Sequence, residues 1–350
     1  EEDLLNGNLE DVTIEGVTDV LRKRKDHPKA VLLFTVCLHH FLGCDLERVY
    51  EELEDRFPDI FFVRCYMDPI MQKHGLTPDQ KLRKAIYDGL KVREENPKAV
   101  TILGSDFALD ETSDIRRLLK WKHIEVKELP ECNSWKSYQE LADSKIFIAC
   151  YPPGKYGLEC QAERLRKKAL YLPGSFYDEI IRQWKTLEQA VGENVEEVEG
   201  IEDTDMYMEK SLERITKREI ALCESALEQA RKVVGDVPIM IDHTFHPRLL
   251  ELAKLLLTHG FSVTRIYLDA VNPEEKDTFE WLKEQYPELE YEPTIRPEMR
   301  MKPRNESDVL AIGQKAAWFT GTRHFVNLVE GAGLYGFDGI RRTAELMTEA

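Results

Sequence analysis

The run Ala30-Val31-Leu32-Leu33-Phe34-Thr35-Val36-Cys37-Leu38-His39-His40-Phe41-Leu42-Gly43-Cys44 decides the fold. Its first seven residues are apolar or threonine, the composition of a buried strand. Beyond it, Leu46, Val49, Tyr50, Leu53 and Phe57 share one face of a helix predicted over 44–57. Residues 60–65 then read as a second strand. Two strands joined through a helix form a parallel pair, because a parallel connection needs a crossover.

The alternation continues outward. Pro78 opens a predicted helix to about residue 95, proline being favoured in a first turn. Residues 99–103 are a strand ending in Gly104-Ser105-Asp106. A helix over 111–121 follows, with Asp110 and Thr112 as candidate caps. Strands at 124–129, 146–150 and 169–172 alternate with helices at 138–143, 158–168 and 176–191. Residues 192–205 are acidic, with little to bury, and read as a linker. A long helical pattern covers 206–234. Strands at 237–241, 262–268, 289–291 and 324–329 then alternate with helices at 247–259, 273–286, 307–319 and 339–348. Helices cover both faces of such sheets. The expected fold is α/β, with two to three doubly wound Rossmann-like domains built on parallel sheets. Domains are expected at 1–98, 99–193 and 237–350, with a linker and long helix over 194–236.

Composition narrows the function. At 350 residues and 42% hydrophobic, the chain can bury several cores. No apolar run reaches the ~20 residues of a membrane helix, so no membrane partner is expected. A net charge of −17 repels phosphate backbones, so nucleic acid is not an expected partner. The acidic start is unlike a signal peptide, and it lacks Met, which leaves room for an upstream segment. Seven scattered cysteines without a C-x-x-C pair fit a reducing cytoplasm rather than a disulfide framework or a self-contained zinc or iron–sulfur knuckle. No G-x-G-x-x-G follows the first strand. No G-x-x-x-x-G-K-[ST] is present, so this chain is not expected to hydrolyse ATP.

In open α/β sheets ligands bind beyond the carboxyl ends of the strands. Cys37, Cys65 and Cys150 stand there, and thiolates are soft ligands for iron and iron–sulfur clusters. The competing reading of each is a small packing residue. Cys37 and Cys150 are the leading metal candidates, Cys65 is weaker, and Cys44, Cys132, Cys160 and Cys223 read as packing. His39-His40 is expected to satisfy backbone groups. Asp242, His243 and His246 cluster at a helix start, as metal ligands or as caps. Gly331, Gly333, Gly336 and Gly339 precede a helix, as amides approaching a ligand or as an ordinary turn.

The order and spacing of these motifs resemble nitrogenase component 1 and its relatives, including the dark-operative tetrapyrrole reductases. Thr35-Val36-Cys37 through Gly43-Cys44-Asp45-Leu46 is similar to the family's T-x-C-x-x-x-x-I/L-G-D-D-I/L segment. Gly104-Ser105-Asp106, Asp110 and Asp114-Ile115-Arg116-Arg117-Leu118-Leu119 resemble its G-E…D…E-I-x-R-L-L stretch. Ile146-Phe147-Ile148-Ala149-Cys150-Tyr151 looks like the strand and Cys-Tyr of the cofactor-binding subunit, and Tyr335-Gly336-Phe337-Asp338-Gly339 looks like its closing Y-G-Y-x-G.

The resemblance implies an oxidoreductase subunit. It would receive electrons from an ATP-dependent iron–sulfur reductase, a component 2-like partner, and work as a homodimer or paired subunit. Cys37 would contribute to a cluster at a subunit interface. Cys150, with Tyr151, would bind a metal centre, an iron–sulfur cluster or related metallocofactor. Cys65, His243, His246, Gly331 and Gly333 would line the same cavity. The family's remaining cluster cysteines lie in a segment that would precede residue 1. The histidine at the cofactor's far end falls near Val326, so nitrogen fixation itself is not expected. The alternative is a scaffold of the same fold that carries or assembles a metallocofactor without turnover. A 2-hydroxyacyl-CoA dehydratase subunit would also fit the scattered cysteines, but the sequence offers no basic pocket for coenzyme A.

Overall fold

In the computed structural model, Ala30–Val36 (β1) pairs in parallel with Phe61–Met67 (β2), Ala30 opposite Phe61 and Val36 opposite Met67. The residues described are 8–68, 75–192, 212–306 and 308–350. The linker expected at 192–205, beyond Gly192, and the start of the long helix at 206–211 lie outside them. The crossover between β1 and β2 contains the helix Leu46–Arg56, started by Asp45, whose side chain accepts the Arg48 N–H. Its buried face is Leu46, Val49, Tyr50 and Leu53, as the spacing predicted. Each side chain so buried contributes roughly 1.5–3 kcal/mol. Tyr50 adds a hydrogen bond to the Leu33 carbonyl at 3.0 Å, which fixes the helix over β1. A helix not read from the sequence, Leu9–Arg22, packs Ile14 and Leu21 into the same core.

The chain sorts into two compact units. Unit 1 comprises residues 1–105, 127–149 and 153–171; unit 2 comprises 106–126, 150–152 and 172–350. Unit 1 holds the β1–β2 pair and the strands Asn96–Ile102 (β3), Ser144–Ala149 (β5) and Lys168–Tyr171 (β6); with Glu125–Glu128 (β4), of which unit 1 includes the last two residues, the sheet order is β4-β3-β5-β6. Strand β3 runs parallel to β5, and β5 to β6. Gly104, directly after β3, has φ +87° and touches the backbone of Gly154, where a Cβ on either residue would collide. The turn after β3 therefore requires glycine.

Unit 2 contains Ile239–Asp242 (β7), Val263–Tyr267 (β8), Glu290–Glu292 (β9), Leu310–Ile312 (β10) and Phe325–Val326 (β11), all parallel, in the order β11-β10-β7-β8-β9. The chain builds outward from β7 to one side and then returns to the other. This is the doubly wound arrangement expected of the sequence.

Several boundaries differ from the sequence reading. The helix predicted over 78–95 ends at Ala85. Beyond it Gly89 packs so closely on the Phe61 ring that a Cβ would strike it, and 91–95 are exposed charged or polar residues apart from Val92, itself 78% exposed. The helix expected over 111–121 begins at Asp114. Ser113 caps it by accepting the Arg116 N–H, while Asp110 closes a local turn with Thr112. The helix read over 307–319 is instead strand β10 followed by the helix Gln314–Thr320. Gly313, at φ +113°, breaks the two apart. The strand read over 324–329 retains only Phe325–Val326, and the last helix starts earlier, at Gly336.

Candidate functional site

Strand order locates a crevice in unit 2. The order in which strands are added reverses between β7 and β10, and in such sheets ligands sit beyond the carboxyl ends at that switch point. The residues that follow the five strands are His243, Asp269, Thr294, Gln314 with Lys315, and Asn327. His243, Lys315, Thr294 and Asp269 form one polar network, and Gln314 and Asn327 form a separate pair. Lys315 Nζ lies 2.9 Å from His243 Nε2 and donates to Thr294 Oγ1 at 3.1 Å. Asp269 accepts the Thr294 N–H at 2.6 Å and its hydroxyl at 2.8 Å. Gln314 donates to Asn327 Oδ1 at 3.0 Å.

Asp242 braces this edge from beneath. Fully buried, it accepts the N–H of Thr244 at 2.7 Å and of Ala316 at 2.6 Å. It lies where a Cβ on Gly313 would stand. Asp242 thus bonds its own turn and the helix Gln314–Thr320, while the helix that follows it in sequence has no side-chain cap.

The histidines have their lone pairs engaged. An ammonium can only donate, so His243 Nε2 is an acceptor and the proton of the neutral ring sits on Nδ1. Burial, and then the Lys315 charge, holds the His243 pKa below its ordinary value. His246 Nδ1 accepts the Arg248 N–H at 3.0 Å. Burial, reinforced by the Arg248 charge, pushes its pKa down to about 3, so it is neutral at physiological pH. In this arrangement neither imidazole presents a free lone pair to a metal.

The glycine loop meets the protein itself. Gly331 donates to the Phe245 carbonyl at 2.7 Å and has no room for a Cβ beside His246. Gly333 sits against the Ala108 carbonyl, again without space for a side chain. Beyond them the amides of Phe337 and Asp338, opening the helix Gly336–Glu349, donate to the buried carboxylate of Asp114, each at 3.3 Å. An anion does occupy the amides of this helix start, and it is a side chain of the same unit. Burial pushes the Asp114 pKa up to about 6.

Cys37 is half-buried, begins the short helix Cys37–Phe41 directly after β1, and has its Sγ 3.9 Å from the Met67 carbonyl. His39 Nδ1 bonds the Val36 backbone, the local role expected of it. His40 Nε2 lies 3.0 Å from the carboxylate of Asp68, the residue after β2. Cys65 lies within β2 rather than at its end. It is fully buried, and burial pushes its thiol up to about 11, which disfavours a thiolate. Cys150 and Tyr151 directly follow β5 and are buried.

Among the described residues no three His, Cys, Asp or Glu side chains gather as a metal site. A complete four-thiolate cluster therefore does not fit the described donors of this chain alone. A separate cavity of about 430 Å³ in unit 2, lined by Arg117, Trp121, Trp184 and Arg218 among others, shares no residue with the crevice.

Two solved structures share this architecture throughout. One, described as nitrogenase Cp1 at pH 6.5, matches with a TM-score of 0.68 at 12% identity, over 100% of this chain and 80% of its own. The fold is nitrogenase-like. Nitrogenase Cp1 at pH 5 matches with a TM-score of 0.62 at 12% identity, over 100% of this chain and 75% of its own. No protein-family model and no curated protein matches the sequence. At this identity the nitrogenase likeness is one of fold. Among the described residues no helix is long and apolar enough to cross a membrane.

Proposed function

We propose that this chain is a nitrogenase-like oxidoreductase subunit in the cytoplasm. It takes electrons from an ATP-dependent iron–sulfur reductase and works as a homodimer or with a paired subunit. The observation that carries the reading is the full-length match to nitrogenase Cp1, combined with cysteines placed directly after β1 and β5. Cys37 and Cys150 would each give one thiolate to an iron–sulfur or related metallocofactor centre. Such a centre would supply one-electron chemistry and a soft, electron-rich surface.

The rest of the work falls to the chain's own residues. Lys315 directs positive charge to the switch-point crevice and would bind an anionic group of cofactor or substrate. Gln314 and Asn327 offer amide donors and acceptors beside it. Asp242 holds the β7 and β10 ends together, so that these groups stay in register. Tyr151, His243, His246, Gly331 and Gly333 shape the surroundings rather than ligate.

The test is anaerobic purification and reconstitution with iron and sulfide, followed by iron analysis and electron paramagnetic resonance. Iron incorporation that falls in Cys37→Ala and Cys150→Ala, with the fold unchanged, supports the reading. A folded protein that takes up no iron removes it. The second reading is a metallocofactor scaffold, favoured by the incomplete donor set. Bound cluster without substrate reduction, even with a reductase supplied, selects it.

A further inference from the structure

Inside unit 2 one guanidinium faces several carboxylates. Arg248 is 3% exposed. It lies 3.2 Å from Glu179 of the helix Tyr177–Gly192, 3.4 Å from Glu274 of the turn Pro273–Glu275, and in tight contact with Glu251 of the helix Leu249–Thr258. Glu275, from the same turn, accepts the amides of Leu250 at 2.9 Å and Glu251 at 3.0 Å. His246, also beside Arg248, is neutral. With every carboxyl ionised, four negative charges would face one positive charge in a largely buried cluster. Such an excess is costly away from water.

A second observation is independent of charge counting. Glu251 is 9% exposed, and its Oε2 is buried with no hydrogen-bond partner. Besides Arg248, the side chain within hydrogen-bonding reach of Glu251 is Glu179, another carboxylate. Two ionised carboxylates have only acceptors to offer each other, whereas one proton between them turns the contact into a short, charge-assisted hydrogen bond.

We propose that Glu179 and Glu251 share one proton, forming a proton-binding latch that fastens the start of the helix Leu249–Thr258 to the helix Tyr177–Gly192. Burial raises the affinity of Glu251 for that proton, and pushes Glu275 beside it up to about 7. The latch connects to the turn after β7 and to the glycine loop. Arg248 donates its N–H to His246, and the Phe245 carbonyl holds Gly331. Losing the proton leaves two buried anions that repel each other across Arg248. The inference concerns proton binding alone and stands whether or not the chain carries a metal.

The test uses the purified full chain. Glu251→Gln installs permanently the N–H donor that the proton provides, and Glu179→Gln does so from the other side. Denaturant unfolding is followed from pH 5 to 9, with infrared spectra recorded in heavy water at pH 7. A proton held by the folded state and not by the unfolded one makes stability fall as pH rises. The effect is up to tenfold in the unfolding equilibrium per pH unit. Both Gln variants are expected to lose that one-proton share of the slope and to be at least as stable as wild type at pH 8. The protonated-carboxyl band should be weaker in both than in wild type by the share of one carboxyl, the part due to Glu275 remaining. If Glu251→Gln does not fold, Glu179→Gln decides alone. A slope and infrared band unchanged from wild type would overturn the proposal, as would a Glu251→Gln variant no more stable at pH 8 than Glu251→Ala.

Discussion

Lys315 Nζ stands 2.9 Å from His243 Nε2, joining the ends of β10 and β7 across the switch point. The contact makes His243 harder to protonate, because a second positive charge would face the ammonium. Burial is the larger cause and the Lys315 charge the next. Lys315→Met should therefore raise the His243 pKa without restoring it fully, as read by NMR titration of the ring. An unmoved titration would show that the two groups do not meet in solution.

Asp242→Ala should cost about 2–5 kcal/mol, because the amides of Thr244 and Ala316 both lose their acceptor. Asp242→Asn should cost less, since one oxygen remains to accept. Urea unfolding measures both. A loss under 1 kcal/mol for the alanine variant would mean that water or a shifted side chain replaces the carboxylate.

Gly333→Ala and Gly43→Ala separate backbone strain from crowding. Both positions have positive φ, +78° and +66°, but a Cβ at Gly43 meets nothing while one at Gly333 meets the Ala108 carbonyl. Gly43→Ala is expected to cost about 1–2 kcal/mol. Gly333→Ala should cost more by at least another ~1–3 kcal/mol from overpacking. Equal midpoints in thermal unfolding would remove the crowding argument.

Asp114 predicts a pH effect of defined sign. Its folded pKa, about 6, lies above its ordinary value because burial penalises the charge. The folded state thus keeps a proton that the unfolded chain has lost. The stabilisation is complete below pH ~4 and is lost as pH rises through about 6, a change of about 3 kcal/mol. Asp114→Asn, which keeps one acceptor for the amides of Phe337 and Asp338, should flatten the stability profile between pH 4 and 6. A variant with the slope of wild type would mean that Asp114 titrates normally.

Local pattern carried most of the fold. The apolar run before Cys37 and the spacing Leu46, Val49, Tyr50, Leu53 placed β1, its crossover helix and β2 nearly to the residue. Strand β10 was missed because Leu310–Ile312 is short and runs into a helix, so its spacing blends with a helical one. Gly313 was the available signal, lying inside the segment read as a helix. That error hid Lys315, and with it half of the crevice. Asp269 and Thr294 were invisible for another reason: they matter only because β8 and β9 bring them beside a residue distant in sequence. The glycine loop was legible as a place where amides gather. That their acceptor is Asp114, from far earlier in the chain, follows from tertiary packing alone.

The crowding of Gly313 by the Asp242 carboxylate also has a hereditary side. The two positions cannot drift separately: any larger residue at 313 evicts the carboxylate, and only a chain that has already given up the acid can accept one. Among descendants of this sequence the pair should change together or not at all, which offers a way to recognise distant kin when overall similarity has faded.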